Sequence, residues 1–167
     1  MVYKIRVILN TEEDAIRDIA IDSASSLEDL HNSITNSFGF TGDQMASFYR
    51  SDETWVQGEE HPLFDMGEGT DRKIQMSEIK LEEVLSQAHD KMIYVYDFFN
   101  MWSFYVELIE NDFDHSNIEL PALLFSLGVV PSNAPEIQFE SEDLSVDDYT
   151  EEEQEDYDED FGDFSYN

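Results

Sequence analysis

The chain has no cysteine among its 167 residues. That excludes disulfides, thiolate-ligated zinc and cysteine nucleophiles, and it fits a reducing compartment. No apolar run reaches the roughly 18 residues that a membrane-spanning helix needs. The N-terminal stretch MVYKIRVILN is interrupted by Lys4 and Arg6 and no small-residue cleavage site follows. It therefore reads as a strand of a cytoplasmic protein rather than as a signal peptide. No phosphate-cradling glycine loop and no nucleophile elbow is present.

Positive charge is the scarcest commodity. Eight basic residues face 40 acidic ones, for a net charge of −32, and no Lys or Arg occurs after Lys91. Residues 132–167 hold 15 of the acidic side chains and no basic one, which leaves 25 acidic against 8 basic on residues 1–131. Body and tail are both acidic. Eight scattered cations do not build a surface for a phosphate backbone, so direct nucleic-acid binding is disfavoured, as is an acidic membrane surface. The field instead favours a basic protein as partner.

What the chain does have is apolar residues at 41% and aromatics at 13%, enough for a core. Lys91–Ile109 is the organising stretch. Met92, Tyr94 and Tyr96 alternate with Ile93 and Val95; beyond a short connection, Trp102, Phe104, Val106 and Leu108 alternate with Ser103, Tyr105, Glu107 and Ile109. Period-two spacing of aromatic and β-branched residues predicts a hairpin at the centre of a sheet.

Upstream, Val2–Leu9 predicts a strand with one buried face, and Ile16–Ile21 its hairpin partner across a polar turn. Ser25 with Glu28, or Ser26 with Asp29, has capping-box spacing. Leu27, Leu30, Ile34 and Phe38 then form one helical stripe, and Gly39 is placed to end it. Met45–Ser51 predicts a third strand, and Trp55-Val56-Gln57 starts its partner. Asp65–Lys73 predicts an exposed, mobile loop. Ile79, Leu81, Val84 and Leu85 suggest a strand-to-helix passage. Leu120–Val130, apolar with Pro121 near its start, is expected as a short helix or turn packed on the sheet. Pro131 and Pro135 mark the edge of the domain. The expectation is thus one α+β domain over 1–131, a mixed, mostly antiparallel sheet with a ββα, β-grasp-like opening, followed by an acidic, mobile C-terminal tail over 132–167.

Tyr3-Lys4-Ile5-x-Val7-x-Leu9, Ile16-Arg17-x-Ile19-x-Ile21, Leu27-x-Asp29-Leu30-His31-x-x-Ile34 and Tyr94-x-Tyr96-Asp97-Phe98 with Trp102 together resemble the Ri-plasmid ORF-three-like family. Some of its members are described as transposon passenger proteins. The resemblance spans residues 3–109 and implies an α+β fold with a ββα opening and a link to mobile elements. It implies no activity. A serine recombinase needs arginines around its nucleophile, whereas Arg6, Arg17, Arg50 and Arg72 lie in separate elements. Relatives often carry a glycine-aspartate connection in the second hairpin and a cysteine-rich segment after it. Here the connection is Phe99-Asn100-Met101 and the cysteines are absent, so no metal role carries over.

Few residues qualify as sites. His31 lies two positions from Asp29, which on a helix does not bring the two face to face, so a packing or surface role is expected. His61, His89 and His115 lack ligand spacing. Asp97, at the hairpin mouth, either organises the turn or, with Trp102, Tyr94 and Trp55, lines a ligand pocket. Asp156, Asp158 and Asp160 have the first spacing of a calcium loop, but Phe161 and Asn167 stand where it needs glycine and glutamate. No cofactor or metal is expected. Tyr157, Phe161 and Phe164 are the tail's candidate partner-binding residues. Three functions remain open: a non-enzymatic protein-interaction module, an acidic decoy for a basic nucleic-acid-binding protein, and an enzyme with a carboxylate–aromatic pocket.

Overall fold

In the computed structural model, residues 1–65, 72–132 and 134 are described. The Asp65–Lys73 loop therefore lies largely outside the described residues, as does the acidic tail beyond Ala134. The described chain is α+β. Its strands are β1 (Val2–Leu9), β2 (Ala15–Asp22), β3 (Ala46–Ser51), β4 (Gln57–Pro62), β5 (Lys91–Tyr96), β6 (Trp102–Glu110) and β7 (Ala122–Leu127). Helix α1 spans Leu27–Phe38, a 3₁₀ turn Met76–Glu78, and the one-turn helix α2 Leu81–Val84.

The seven strands form one sheet in the order β4-β3-β5-β6-β1-β2-β7. Each of the six pairings is antiparallel, so the parallel component implied by a mixed sheet is not found among the described residues. The β5–β6 hairpin lies at the middle of the sheet, where its alternation placed it. Tyr94 stands opposite Phe104 and Tyr96 opposite Trp102. Opposed residues share a face. On that face Tyr94 meets Phe104 at 5.4 Å between ring centroids, and Phe48 meets Tyr94 at 4.7 Å.

Helix α1 covers this face. Ser26 and Asp29 form the capping box: the Asp29 amide donates to Ser26 Oγ at 3.1 Å, and the Ser26 amide donates to Asp29 Oδ2 at 2.9 Å. Leu27, Leu30, Ile34 and Phe38 are all buried. Gly39, at φ 82°, turns the chain so that the Phe40 amide reaches the Thr35 carbonyl at 2.8 Å. Phe40 then stacks near Trp102, Tyr96 and Phe104. The start of α1 is tied to the α2 segment, since Leu27 donates to Ile79 and Leu81 to Ser25.

The opposite face is covered in part. Ile93, Val95, Ser47 and Ser103 are buried, although their register puts them on the side away from α1. Trp55 folds back over this side, with its ring 4.8 Å from Tyr105 and beneath Lys91 Nζ. A left-handed backbone, φ 67°, gives it that direction.

Leu120–Val130 corrects the sequence reading. It is no helix or turn: Ala122–Leu127 is the edge strand β7, paired with β2. A six-residue apolar run carries no periodicity able to separate helix from strand. Gly128 ends it at φ 81°, where a side-chain Cβ would stand 2.0 Å from the Asp14 carbonyl oxygen.

Candidate functional site

Tyr94 and Trp102 lie on the helix side of the sheet, both enclosed. Trp55 lies on the other side, against Tyr105. The sheet separates them, so Asp97, Trp102, Tyr94 and Trp55 do not line one pocket. Alternation within a strand gave the face of Tyr94 and Trp102, but Trp55 belongs to a turn and has no period to read.

Asp97 is held by its own turn. At φ 66° its Oδ1 accepts from the Phe99 and Asn100 amides at 3.1 and 3.3 Å, and its Oδ2 from Asn100 Nδ2 at 2.7 Å. Its amide donates to the Met45 carbonyl at 2.7 Å. A carboxylate so occupied is a turn organiser.

His31 sits inside. It is 2% exposed, and its Nδ1 lies 2.5 Å from the Tyr94 hydroxyl. Asp29 is committed to the cap and takes no part. Burial lowers His31 to about 4 and pushes Tyr94 well above its ordinary value. The ring is therefore neutral near pH 7, and the pair joins α1 to β5. The signal was in the sequence: His31 falls in phase with Leu27, Leu30 and Ile34, at helical steps of three and four.

His61 is also enclosed. Its Nε2 accepts from Arg50 Nε at 3.1 Å and its Nδ1 donates to the Ile74 carbonyl at 3.0 Å. An arginine only donates, so the hydrogen bonds fix the tautomer. Nearby, Glu60 accepts from Ser47 Oγ at 2.5 Å and from Lys73 Nζ at 2.6 Å. Burial pushes Glu60 up, but the Lys73 and Ser47 hydrogen bonds and the Lys73 charge outweigh it and hold the carboxyl below its usual range. Burial and then the Glu60 charge push Tyr49 up to about 12. His61 and Glu60 are thus each held by hydrogen bonds to neighbouring protein groups.

Arg17 was not singled out from the sequence. It is 7% exposed and meets carbonyls alone among the described residues: Ser37 from Nε, Ile16 and Leu127 from Nη1, and Gly128 from Nη2. Its guanidinium carbon lies 4.6 Å from the Phe38 ring centroid. The last carbonyls of a helix carry partial negative charge, so a cation there needs no carboxylate. Burial lowers its pKa. Its shared parity with Ile19 and Ile21 was the available clue to its inward direction.

Exposed large apolar side chains lie close together in sequence at two places among the described residues. At the β5–β6 tip, Phe98 is 42%, Phe99 93% and Met101 46% exposed. Along β7, Leu123, Phe125 and Leu127 are each about half exposed, and Val129 follows at 80%. Leu123 pairs with Ile19 on the helix side, whereas Phe125 and Leu127 pair with Asp18 and Ile16 on the other, because a bulge intervenes. Beside Leu123 a cleft of about 250 Å³ opens between β7 and α1, lined by Ile19, Ser33, Asn36, Ser37, Pro121, Ala122 and Leu123.

Among the described residues no group of three or more His, Asp or Glu is arranged to hold a metal. No described helix is long and apolar enough to cross a membrane. Tyr157, Phe161 and Phe164 lie outside the described residues, as do Asp156, Asp158 and Asp160.

The family model of the plasmid pRiA4b ORF-3-like proteins matches residues 1–164. Among solved structures, a protein of unknown function from Methanosarcina mazei Go1 is similar, with TM-score 0.62 and 17% identity over 78% of this chain and 72% of that one. At that identity the likeness shows the fold alone. No curated protein matches the chain.

Proposed function

Since the chain belongs to the plasmid pRiA4b ORF-3-like family, we propose that it is a non-enzymatic protein-interaction module serving a mobile genetic element. The observation that carries this reading is the pair of apolar surfaces, at Phe98, Phe99 and Met101 and along β7. Groups of large apolar side chains facing water are characteristic of interaction sites. The titratable groups inside the fold, His31, His61, Glu60 and Arg17, are by contrast engaged with structural partners. The plasmid in the family's description supports the mobile-element link, and the lack of cysteine supports a cytoplasmic setting. The order β1, β2, α1 supports a β-grasp-like opening.

Affinity capture from the native cell at low salt, with mass spectrometry, tests the reading. A partner retained by the parent and lost by Phe99→Ser or by Leu123→Lys is expected. If neither substitution changes what is captured, the apolar surfaces are not the interface.

A second reading rests on the net charge of −32. The chain would act as an acidic decoy for a basic nucleic-acid-binding protein, anchored by Tyr157, Phe161 and Phe164. Such binding falls steeply with salt and weakens when the three aromatics become alanine at unchanged charge.

A further inference from the structure

The two outer strands of the sheet are built differently. β4 is QGEEHP: it carries two glutamates, and Pro62 removes a backbone donor. Charge, proline and shortness are the usual protections of an edge strand. β7 is ALLFSL, with no charge and no proline within it. Among the described residues, no strand pairs with its outer side. On either side of the bulge, alternate residues of such a strand aim their N–H and C=O groups outward.

The surroundings specify what would cover it. The side chains of β7 are exposed on both faces, so an added strand would bury apolar surface on each. On the helix side, the cleft of about 250 Å³ lies beside Leu123, with Ile19 among its lining residues. It would take one apolar side chain of the incoming strand. Both ends of β7 are acidic. Glu119 precedes it and Asp22 ends the paired strand β2; at the far end Gly128 abuts Asp14, next to Glu12 and Glu13. All five carboxylates are exposed. A second copy of so acidic a chain would bring like charges together at both ends.

We propose that β7 receives an extended segment of a partner protein as an eighth strand. That segment is apolar at alternate positions and flanked at both ends by Lys or Arg. This rests on the interaction-module reading and names its site and ligand chemistry. The backbone supplies the pairing, the cleft beside Leu123 selects one apolar side chain, and the carboxylates at the strand ends select the basic flanks.

The probe is a synthetic peptide with valine and threonine alternating and two lysines at each end, titrated into the full chain and followed by amide NMR. Shifts and slowed exchange should concentrate at Leu123–Leu127. N-methylation of alternate peptide amides should weaken binding at least about ten-fold, the worth of one or two net hydrogen bonds. The paired change Leu123→Lys with Phe125→Lys, at unchanged melting temperature, should do the same, and glutamate flanks should abolish binding. Equal binding of the N-methylated peptide would reduce the site to a polyanion and overturn the proposal. So would shifts confined to β4 or scattered over acidic residues, or sedimentation of the chain alone as a dimer that the lysine pair dissolves. A cellular partner still captured by the lysine pair would keep the module reading and remove β7 as its site. Peptide binding at β7 with no partner captured by the parent would keep the site and remove the module reading.

Discussion

Lowering the pH should destabilise this protein through one buried imidazole. His31 is 2% exposed and titrates at about 4 in the folded chain, because burial penalises its charged form. In the unfolded chain it titrates near 6.5. Its folded pKa is depressed, so between those values the unfolded state binds more protons, and stability falls as pH falls. Relative to pH 7 the loss works out to about 1 kcal/mol at pH 5.5 and about 2.5 kcal/mol at pH 4.5, and it levels off below pH 4. The ring is enclosed, so solvent screening takes little from these figures. Other groups act in the same range, since protonating carboxylates relieves the self-repulsion of a −32 chain. A paired measurement isolates His31. Urea unfolding of the parent and of His31→Gln, from pH 7.5 down to 4.5, should show the gap between them shrinking by about the amounts above, as the parent alone pays to exclude a proton. A gap that stays constant with pH would show that His31 is not held neutral by the fold, and the account of the His31–Tyr94 pair would go with it.

Four further outcomes are expected. Tyr94→Phe should cost about 1–3 kcal/mol by urea unfolding, since it leaves the buried His31 Nδ1 without the hydroxyl that lies 2.5 Å away. Trp102→Ala should cost about 3–5 kcal/mol, read as a large fall in melting temperature, because the ring is 7% exposed and packs on Phe40. Arg17→Met keeps an apolar stem but removes the guanidinium that lies over Phe38 and donates to Ser37, Ile16, Leu127 and Gly128; it should cost about 1–3 kcal/mol and speed amide exchange along β7 first. Truncation after Ala134 should leave a domain that melts cooperatively, since the removed residues carry 15 of the 40 carboxylates and no cation; loss of cooperative melting would extend the fold into that segment.

Helix α1 was legible because three independent signals agreed: the Ser26–Asp29 cap, the stripe from Leu27 to Phe38, and Gly39. The β5–β6 hairpin was legible because alternation ran unbroken on both sides of its turn. Its second face carried information too. Ile93 and Val95 are apolar where a half-solvated strand would be polar, and both are buried. The placement of Trp55 was not legible. Asp97, Trp102, Tyr94 and Trp55 were grouped by chemical type, and no local rule says that a left-handed backbone at Trp55 sends its ring over the far face.

The β7 edge was illegible for a reason that bears on what the protein does. Alternation exists where one face of a strand is buried and the other wet. β7 has Leu123 on the helix side and Phe125 and Leu127 on the other, all about half exposed, with a bulge between them. Neither face imposed a polar pattern, so the segment read as an undifferentiated apolar run. A strand of that composition, left at an edge, invites pairing with another strand. β4, at the opposite edge, is protected with glutamates and a proline. The same chain thus blunts one edge and leaves the other apolar, with Arg17 bonding the carbonyls of Leu127 and Gly128 at its end. General tolerance of exposed edges would treat both alike, so the asymmetry favours β7 as a surface kept open for a strand from elsewhere.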